Sequence, residues 1–261
     1  MSQLSKAPLI EAIFELRWGA AKKNAEEDSV SLTFSPEEME YFAGQFRGVA
    51  NGSGYSVVER INSGIPAQIP HLVSHRFRLA PNTWPCIQIG TGIFTVNQIN
   101  DGYTWKSFKA NIDKGLQLLN KGHPIGLEGP PLISVELTYQ DGMLFEEHES
   151  ASDFLKNKLN FGYEAPQDLL SEISEGGIAQ GYSISFHVPI KKPVGMLVVE
   201  LQEAKLNGMP GFVMNTRIRS SELNVPANNV ANINSWLGEA HNVQKIAFDK
   251  LINPTFAKSF K

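Results

Sequence analysis

Charged side chains recur at every second position in several segments of this 261-residue sequence. Alternate residues of an extended strand point to the same face, so this spacing predicts a shared charged surface. Arginine pairs on such a surface are suited to gripping a carboxylate, a phosphate or a lipid headgroup. The candidates are Glu11, Glu15, Arg17, Arg76, Arg78, Glu136, His187, Arg217 and Arg219. The alternative is the ordinary solvated face of an antiparallel sheet, where an exposed ion pair contributes only about 0–1 kcal/mol.

Residue types that bind metals or carry covalent catalysis are present, but without the spacing that either chemistry needs. Only His71 and His75 of the six histidines lie close in sequence, and no cysteine accompanies them. The glycine-rich segments lack the spacing of phosphate-binding loops, and no G-x-S-x-G motif occurs. The single cysteine, Cys86, lies in an apolar segment, where a thiol is usually inert packing. The sequence therefore predicts no metal, no cofactor and no catalytic residue, with an enzyme of unfamiliar type as the alternative.

The strands and helices that must position these residues are predicted from two similar stretches of sequence. The segment from Pro8 to Leu16 resembles the segment from Pro131 to Tyr139 at a shift of 123 positions. Apolar residues alternate with polar ones in both copies, as in a half-buried strand, and the phase is preserved. In the first copy the predicted apolar face is Ile10, Ala12, Phe14, Leu16 and Trp18; in the second it is Ile133, Val135, Leu137 and Tyr139.

Each copy continues with a short helix, three or more strands and a long helix. The repeats are predicted to span about residues 7–122 and 130–253, within one pseudo-symmetric domain covering 1–261. Two such β-α-β-β-β-α units side by side predict an α+β fold. We expect a curved antiparallel sheet with both long helices packed on one face, in the manner of helix-grip or TATA-box-binding-protein-like folds. Fold by itself assigns no function.

Tryptophans occupy equivalent places at the starts of the two long helices. Trp105 and Trp236 are expected to lock each helix to the sheet, because a duplicated unit duplicates its core anchors. Alternatively they line a cavity between helix and sheet. His241, five residues after Trp236, is expected at a boundary position or in a polar contact.

The opening strand also carries a family resemblance. Its sequence, Pro8-Leu9-Ile10-Glu11-Ala12-Ile13-Phe14-Glu15-Leu16-Arg17-Trp18, resembles an uncharacterised, sporadically distributed bacterial protein family of similar length. Members open with Pro-x-x-Glu-Ala-x-x-Glu-x-Arg and close with a helix resembling the segment from Trp236 to His241, followed by a phenylalanine such as Phe248. Patchy occurrence among bacteria implies mobile cassettes, including antiphage defence and toxin–antitoxin-like pairs. Because Glu15 and Arg17 match the motif, they are the strongest candidates on the charged face.

The amino-acid composition of the chain limits the classes of partner that it is expected to bind. A net charge of −4, from 23 basic and 27 acidic residues, argues against nucleic-acid binding driven by phosphate contacts. The first residues lack the apolar core of a signal peptide, and no run reaches the 18 apolar residues of a membrane span. A cytoplasmic location is therefore expected.

These observations favour a non-enzymatic binding or sensor protein. The resemblance implies one component of a two-gene antiphage defence or toxin–antitoxin-like system. Such a component would recognise a partner protein encoded nearby, or a membrane or lipid feature, through the charged sheet face. The alternative is a small-molecule or lipid-binding protein, or an unfamiliar enzyme, that uses a cavity between the long helices and the sheet.

Overall fold

The fold is of the expected α+β class. The computed structural model describes residues 8–19, 21–24, 29–32, 36–65, 69–129, 131–162, 166–173, 179 and 181–260. Within them the chain forms a nine-stranded antiparallel sheet, a separate two-stranded sheet and six α-helices. The predicted first residues of the two repeats, at positions 7 and 130, lie outside the described residues.

The described residues form eleven strands and six α-helices. The strands are β1 (Leu9–Trp18), β2 (Ala21–Asn24), β3 (Ser29–Leu32), β4 (Val57–Arg60), β5 (Val73–Arg78), β6 (Cys86–Gly90), β7 (Ile93–Ile99), β8 (Leu132–Leu144), β9 (Ser183–Lys191), β10 (Val194–Leu206) and β11 (Met209–Ser221). The helices are α1 (Pro36–Gly52), α2 (Trp105–Gly122), α3 (Ala151–Asn157), α4 (Gln167–Ile173), α5 (Val230–Leu251) and α6 (Pro254–Ala257). Short 3-10 helices occupy Glu222–Asn224 and Lys258–Phe260.

The nine strands lie in the order β4-β5-β6-β7-β1-β8-β11-β10-β9. The two motif-bearing strands, β1 and β8, pair with each other near the centre, with Phe14 opposite Leu137. We call β1, β4–β7, α1 and α2 the first half, and β8–β11, α3, α4 and α5 the second half. The pairing of β1 with β8 is the seam between them.

Both long helices pack on the apolar face of the sheet. Ala12, Phe14 and Leu16 of β1 are fully buried in one cluster with α2 and α5. Helix α2 contributes Phe108, Ile112 and Leu116, and α5 contributes Ile233, Trp236, Leu237 and Ala240. Alternation within each strand puts the polar residues on the opposite face, away from these helices.

One residue predicted for the apolar face lies elsewhere. Ile10 is 37% exposed, whereas Leu9 is buried. The pairing of β1 with β8 shifts register between Leu9 and Glu11, which interrupts strict alternation at this point. From Ala12 to Trp18 the expected phase holds, because every second residue in this segment is buried.

A second apolar cluster combines residues of the second half with the C-terminal helical segment that follows α5. Phe154 and Leu155 of α3 pack there with Phe212 and Met214 of β11 and with Phe260 near the C-terminus. The partly buried Leu197 packs against both clusters, so the two cores are continuous at that point. Among the described helices, none combines the length and the apolar character needed to cross a membrane.

Candidate functional site

The arginines of β5 lie on the polar face and are ion-paired within the first half, and Arg76 Nε is buried with no hydrogen-bond partner among the described residues. Arg78 donates from Nε to Glu59 Oε1 at 3.1 Å and from Nη1 to the carbonyl of Thr83 at 2.6 Å. Its guanidinium carbon lies 4.6 Å from the ring centroid of Trp84. Arg76 shares the same carboxylate, at 3.4 Å. With Arg78 only 5% exposed, this group stabilises the edge of the sheet and leaves little open to a ligand.

The motif residues Glu11, Glu15 and Arg17 share the polar face of β1, as predicted. Arg17 donates from Nε to Glu15 Oε1 at 2.5 Å, and Asn97 donates to Glu11 Oε1 at 2.8 Å. Burial raises the pKa of Glu15, while the neighbouring Arg17 opposes the shift. Glu136, directly opposite Glu15 on β8, raises that pKa further.

Across the seam, the polar face of β1 continues into the second half. Arg219 of β11 lies opposite Glu136, and its charge also acts on Glu15. It is exposed and makes no direct ion pair among the described residues. Arg217 donates to Glu200 of β10. Glu15, Glu136 and Arg219 therefore form a row across three strands, as alternation on neighbouring strands predicts.

The structure does not bring all the predicted arginines together. Five strand spacings separate β5 from β11. At about 4.8 Å per strand, Arg76 and Arg78 lie on the order of 24 Å from Arg217 and Arg219. One small anion cannot contact both groups.

Burial of the polar face differs between the halves. In the first half Cys86, Gln88, Thr95 and Asn97 are each less than 9% exposed. Burial raises the pKa of the Cys86 thiol to about 11, which keeps it protonated and unreactive. In the second half the corresponding face is open: Arg217 is half-buried, and His187 on β9 is exposed.

Trp105 and His241 meet on the other face, between α2 and α5. Their rings stack at 3.7 Å with an interplanar angle of 10°. His241 Nδ1 lies 3.3 Å from the hydroxyl of Tyr139, which is 2.7 Å from the hydroxyl of Tyr103. Burial, together with Lys245 and Lys109, lowers the pKa of His241 to about 4, and burial raises the pKa of both tyrosines. The cluster is therefore neutral near pH 7, and His241 makes the polar contact that was one of its two expected roles.

Trp236 has a different environment from Trp105. It is 4% exposed, and its Nε1 donates to Ser220 Oγ of β11 at 2.8 Å. This bond and the surrounding core attach α5 to the sheet, which is the anchoring role expected for both tryptophans. Trp105 is half-buried and contacts the opposite long helix through His241.

Sequence reasoning missed a buried carboxyl beside this cluster. Asp141 is 3% exposed, its Oδ2 has no hydrogen-bond partner among the described residues, and burial raises its pKa to about 7. Thr216 Oγ1 lies two residues from Met214, which pairs with Asp141 in the sheet, and it too is buried with no hydrogen-bond partner in the described part of the chain. The burial of Asp141 could have been predicted from the sequence, because this residue continues the apolar phase of Val135, Leu137 and Tyr139.

Two surface grooves lie elsewhere on the helix-bearing side. One, of about 700 Å³, lies between α1 and the β4–β5 edge and includes Arg47, Arg60 and His75. The other, of about 510 Å³, lies between α5 and strands β9 and β10. Neither groove is lined by Trp105 or Trp236. In the part of the chain that the structure describes, no three His, Cys, Asp or Glu side chains lie together as metal ligands.

Comparison of this chain with protein-family models, curated proteins and solved structures finds no match.

Proposed function

We propose that this chain is a non-enzymatic binding or sensor protein that recognises a partner protein through the second half of its sheet. The observation that carries the proposal is the difference in burial between the two polar faces. In the first half the polar side chains of β6 and β7 are buried and the arginines of β5 are ion-paired with Glu59. The second half presents the exposed Arg219 and His187, together with Arg217, which is partly exposed and ion-paired with Glu200.

The state of the reactive groups supports binding over catalysis. Covalent catalysis needs a nucleophile activated by a nearby base. Here the Cys86 thiol has a raised pKa, and His241 is stacked on Trp105 beside hydroxyls that are themselves hydrogen-bonded. These arrangements stabilise neutral, packed side chains.

The mixed charge of the exposed face supports a protein partner. Glu136 and Glu200 lie among Arg217 and Arg219, so the surface is not a basic patch. Nucleic-acid surfaces are characteristically basic. Alternating charges of both signs instead set the orientation of a protein partner and the rate of association.

For the architecture we propose an internally duplicated β-α-β-β-β-α unit within one pseudo-symmetric domain. Two observations support this. Outward from the seam, the strands run β1-β7-β6-β5 on one side and β8-β11-β10-β9 on the other, with equivalent connections along the chain. Each half also ends in a long helix on the apolar face, α2 or α5. A curved helix-grip or TATA-box-binding-protein-like arrangement remains part of this proposal.

For the biological setting we propose a cytoplasmic protein whose partner is encoded by an adjacent gene, in an antiphage or toxin–antitoxin-like pair. The support here is the resemblance of the opening and closing motifs.

Affinity purification of the tagged chain, co-expressed with its neighbouring genes, tests the function. We expect an adjacent gene product to co-purify with the wild type and with Lys106→Glu, an exposed charge reversal on α2. The double variant Arg217→Glu/Arg219→Glu should lose most of this product. Full retention by the folded double variant, or recovery of no neighbouring product by the wild type, would overturn the proposal.

A further inference from the structure

The helices of the two halves cover the outer strands of the shared sheet to different extents. In the first half α1 is 17 residues long, whereas α3, which follows β8 as α1 follows β1, has only 7. A helix rises 1.5 Å per residue, so the ten-residue difference corresponds to about 15 Å of helix. Helix α4 adds seven residues to the second half, but it contributes to neither apolar cluster, and its Leu169 and Ile173 are 52% and 73% exposed. Among the described residues, the second half therefore packs a smaller helical layer on the sheet than the first half does.

Helix α1 shows what this layer does. Phe42 and Phe46 are buried, and the ring of Phe46 lies 5.0 Å from that of Phe77 on β5. Helix α2 approaches α1 closely: a Cβ added to Gly122 would lie 3.0 Å from the Cα of Phe46. Helix α1 thus packs between α2 and an outer strand of the sheet.

The equivalent space beside α5 is only partly filled. Phe161, just beyond α3, has its ring 6.1 Å from that of Phe186 on β9. Beyond that contact the 510 Å³ groove is lined by apolar side chains of β9, β10 and α5, among them Ile190, Leu197 and Val243. Ile246 of α5, which also lines the groove, is 53% exposed. The groove is open to solvent and presents an apolar floor.

The charged residues at this groove are all basic. Lys191, Lys192 and Lys250 are among its lining residues, and none of the described lining residues is acidic. Lys192 is 79% exposed and lies 3.4 Å from Glu239, a pair that water screens strongly. An occupant with acidic residues beside an apolar stripe would complement both the floor and the lysines.

Resting on the proposed function, we propose that this groove receives an acidic amphipathic helix of the partner protein. The helix lies beside α5 on β9 and β10, where α1 lies beside α2 in the first half. The ten-residue difference in length between α1 and α3 corresponds to about three helical turns, a usual size for helix-in-groove recognition. A lone acyl chain fits less well, because small-ligand sites usually enclose 70–90% or more of the ligand surface.

A labelled peptide with the sequence of α1, residues 36–52, is a suitable probe because it is amphipathic and has Glu37 and Glu38 in its first turn. Fluorescence anisotropy with the full-length protein should show saturable binding. Ile246→Glu should weaken it at least tenfold, and Lys191→Glu/Lys250→Glu should weaken it more at low salt than at high salt. Ile125→Glu, which alters a side chain 65% exposed outside the groove, is the matched control and should bind as the wild type does.

Three results would overturn the inference. One is an absence of peptide binding, and another is unchanged binding by folded Ile246→Glu. The third is displacement of the peptide by myristate at equimolar concentration together with retention of myristate in native mass spectrometry, which would identify an acyl-chain site.

Co-purification separates this inference from the proposed function. If Ile246→Glu retains the adjacent gene product while Arg217→Glu/Arg219→Glu loses it, the groove inference fails and the function stands. If the wild type binds the peptide but recovers no neighbouring product, the proposed function fails and the groove remains a helix-binding site.

Discussion

The first half of the sheet buries residues on both faces of its inner strands, whereas the second half leaves both faces of its outer strands accessible. Every residue of β6 is buried, including Cys86 and Gln88 on the polar side. On β9, residues of both faces are exposed, including His187 on the polar side and Val188 on the apolar side. The strand equivalent in position to β9 is β5, which has no exposed residue and is flanked on its outer side by β4, whereas β9 is the edge of the sheet. The difference therefore comes in part from the additional strand β4 and in part from the connections and side chains of each half. We infer that the first half chiefly stabilises the fold and the second half offers surfaces for binding.

The largest expected effect tests whether the halves fold together. Phe14 and Leu137 face each other across the seam and are fully buried. Phe14→Glu or Leu137→Glu would place an unpaired charge there, and we expect loss of soluble folded protein. Gln140→Glu, on the polar face of β8, is the control and should fold. Circular dichroism that retains about half of the native signal in Phe14→Glu would instead show that the halves fold separately.

A second prediction concerns a buried position at which the two similar sequence segments differ. The shift of 123 positions relates Trp18, packed in the first half, to Asp141. Because burial raises the folded-state pKa of Asp141 from 3.8 to about 7, the neutral carboxyl is favoured in the folded protein. Its contribution to stability is therefore fully present below about pH 4 and is lost as the pH rises to about 7.

Asp141→Asn should remove this dependence. Between pH 4 and 7 the free energy of unfolding of the wild type should fall relative to that of the variant by roughly 2–4 kcal/mol. Urea titrations at several pH values measure it, and taking the difference between the proteins cancels the opposite effect of histidines whose pKa is lowered, such as His241. Asp249→Asn, at an exposed site on α5, should leave the profile unchanged. A parallel wild-type and Asp141→Asn profile would contradict the raised pKa.

A third prediction compares arginines on the two polar faces. Arg78 is buried with two hydrogen-bond acceptors, so Arg78→Ala should lower the free energy of unfolding by about 2–3 kcal/mol. Arg217 is partly exposed and pairs with a partly exposed Glu200, so Arg217→Ala should cost only about 0–1 kcal/mol. Chemical denaturation of both variants measures the difference. Equal costs would contradict the division between a structural and an accessible face.

The smallest expected effect is a difference in solvent access between the two polar faces, with no change in stability. Cys86 should react with a thiol reagent at the rate of unfolding, because the thiol is buried and its pKa is about 11. The cysteine introduced by His187→Cys on β9 should react at the rate at which the reagent labels an exposed thiol. Fast labelling of native Cys86 would show that the first-half polar face opens readily.

Part of the site could be predicted from the sequence, because it depends on alternation along single strands. The pattern from Glu11 to Arg17 gives these residues one face, and the match around Leu137 extends that face to β8. The register shift at Leu9 could not be predicted in this way, so Ile10 was assigned to the wrong face. The stacking of Trp105 on His241 was also missed, because it joins helices that are distant in sequence.

The sequence by itself determined the alternation of the strands, the phase of both motif-bearing segments and the presence of two long amphipathic helices. Each is set by residues within one or two turns or strand steps of each other. Only the tertiary structure decided which arginines are satisfied by Glu59, which polar groups enter the core at Asp141, and which apolar strands remain uncovered beside α5. Those outcomes depend on contacts between segments far apart in the chain, whose distances and burial no local pattern specifies.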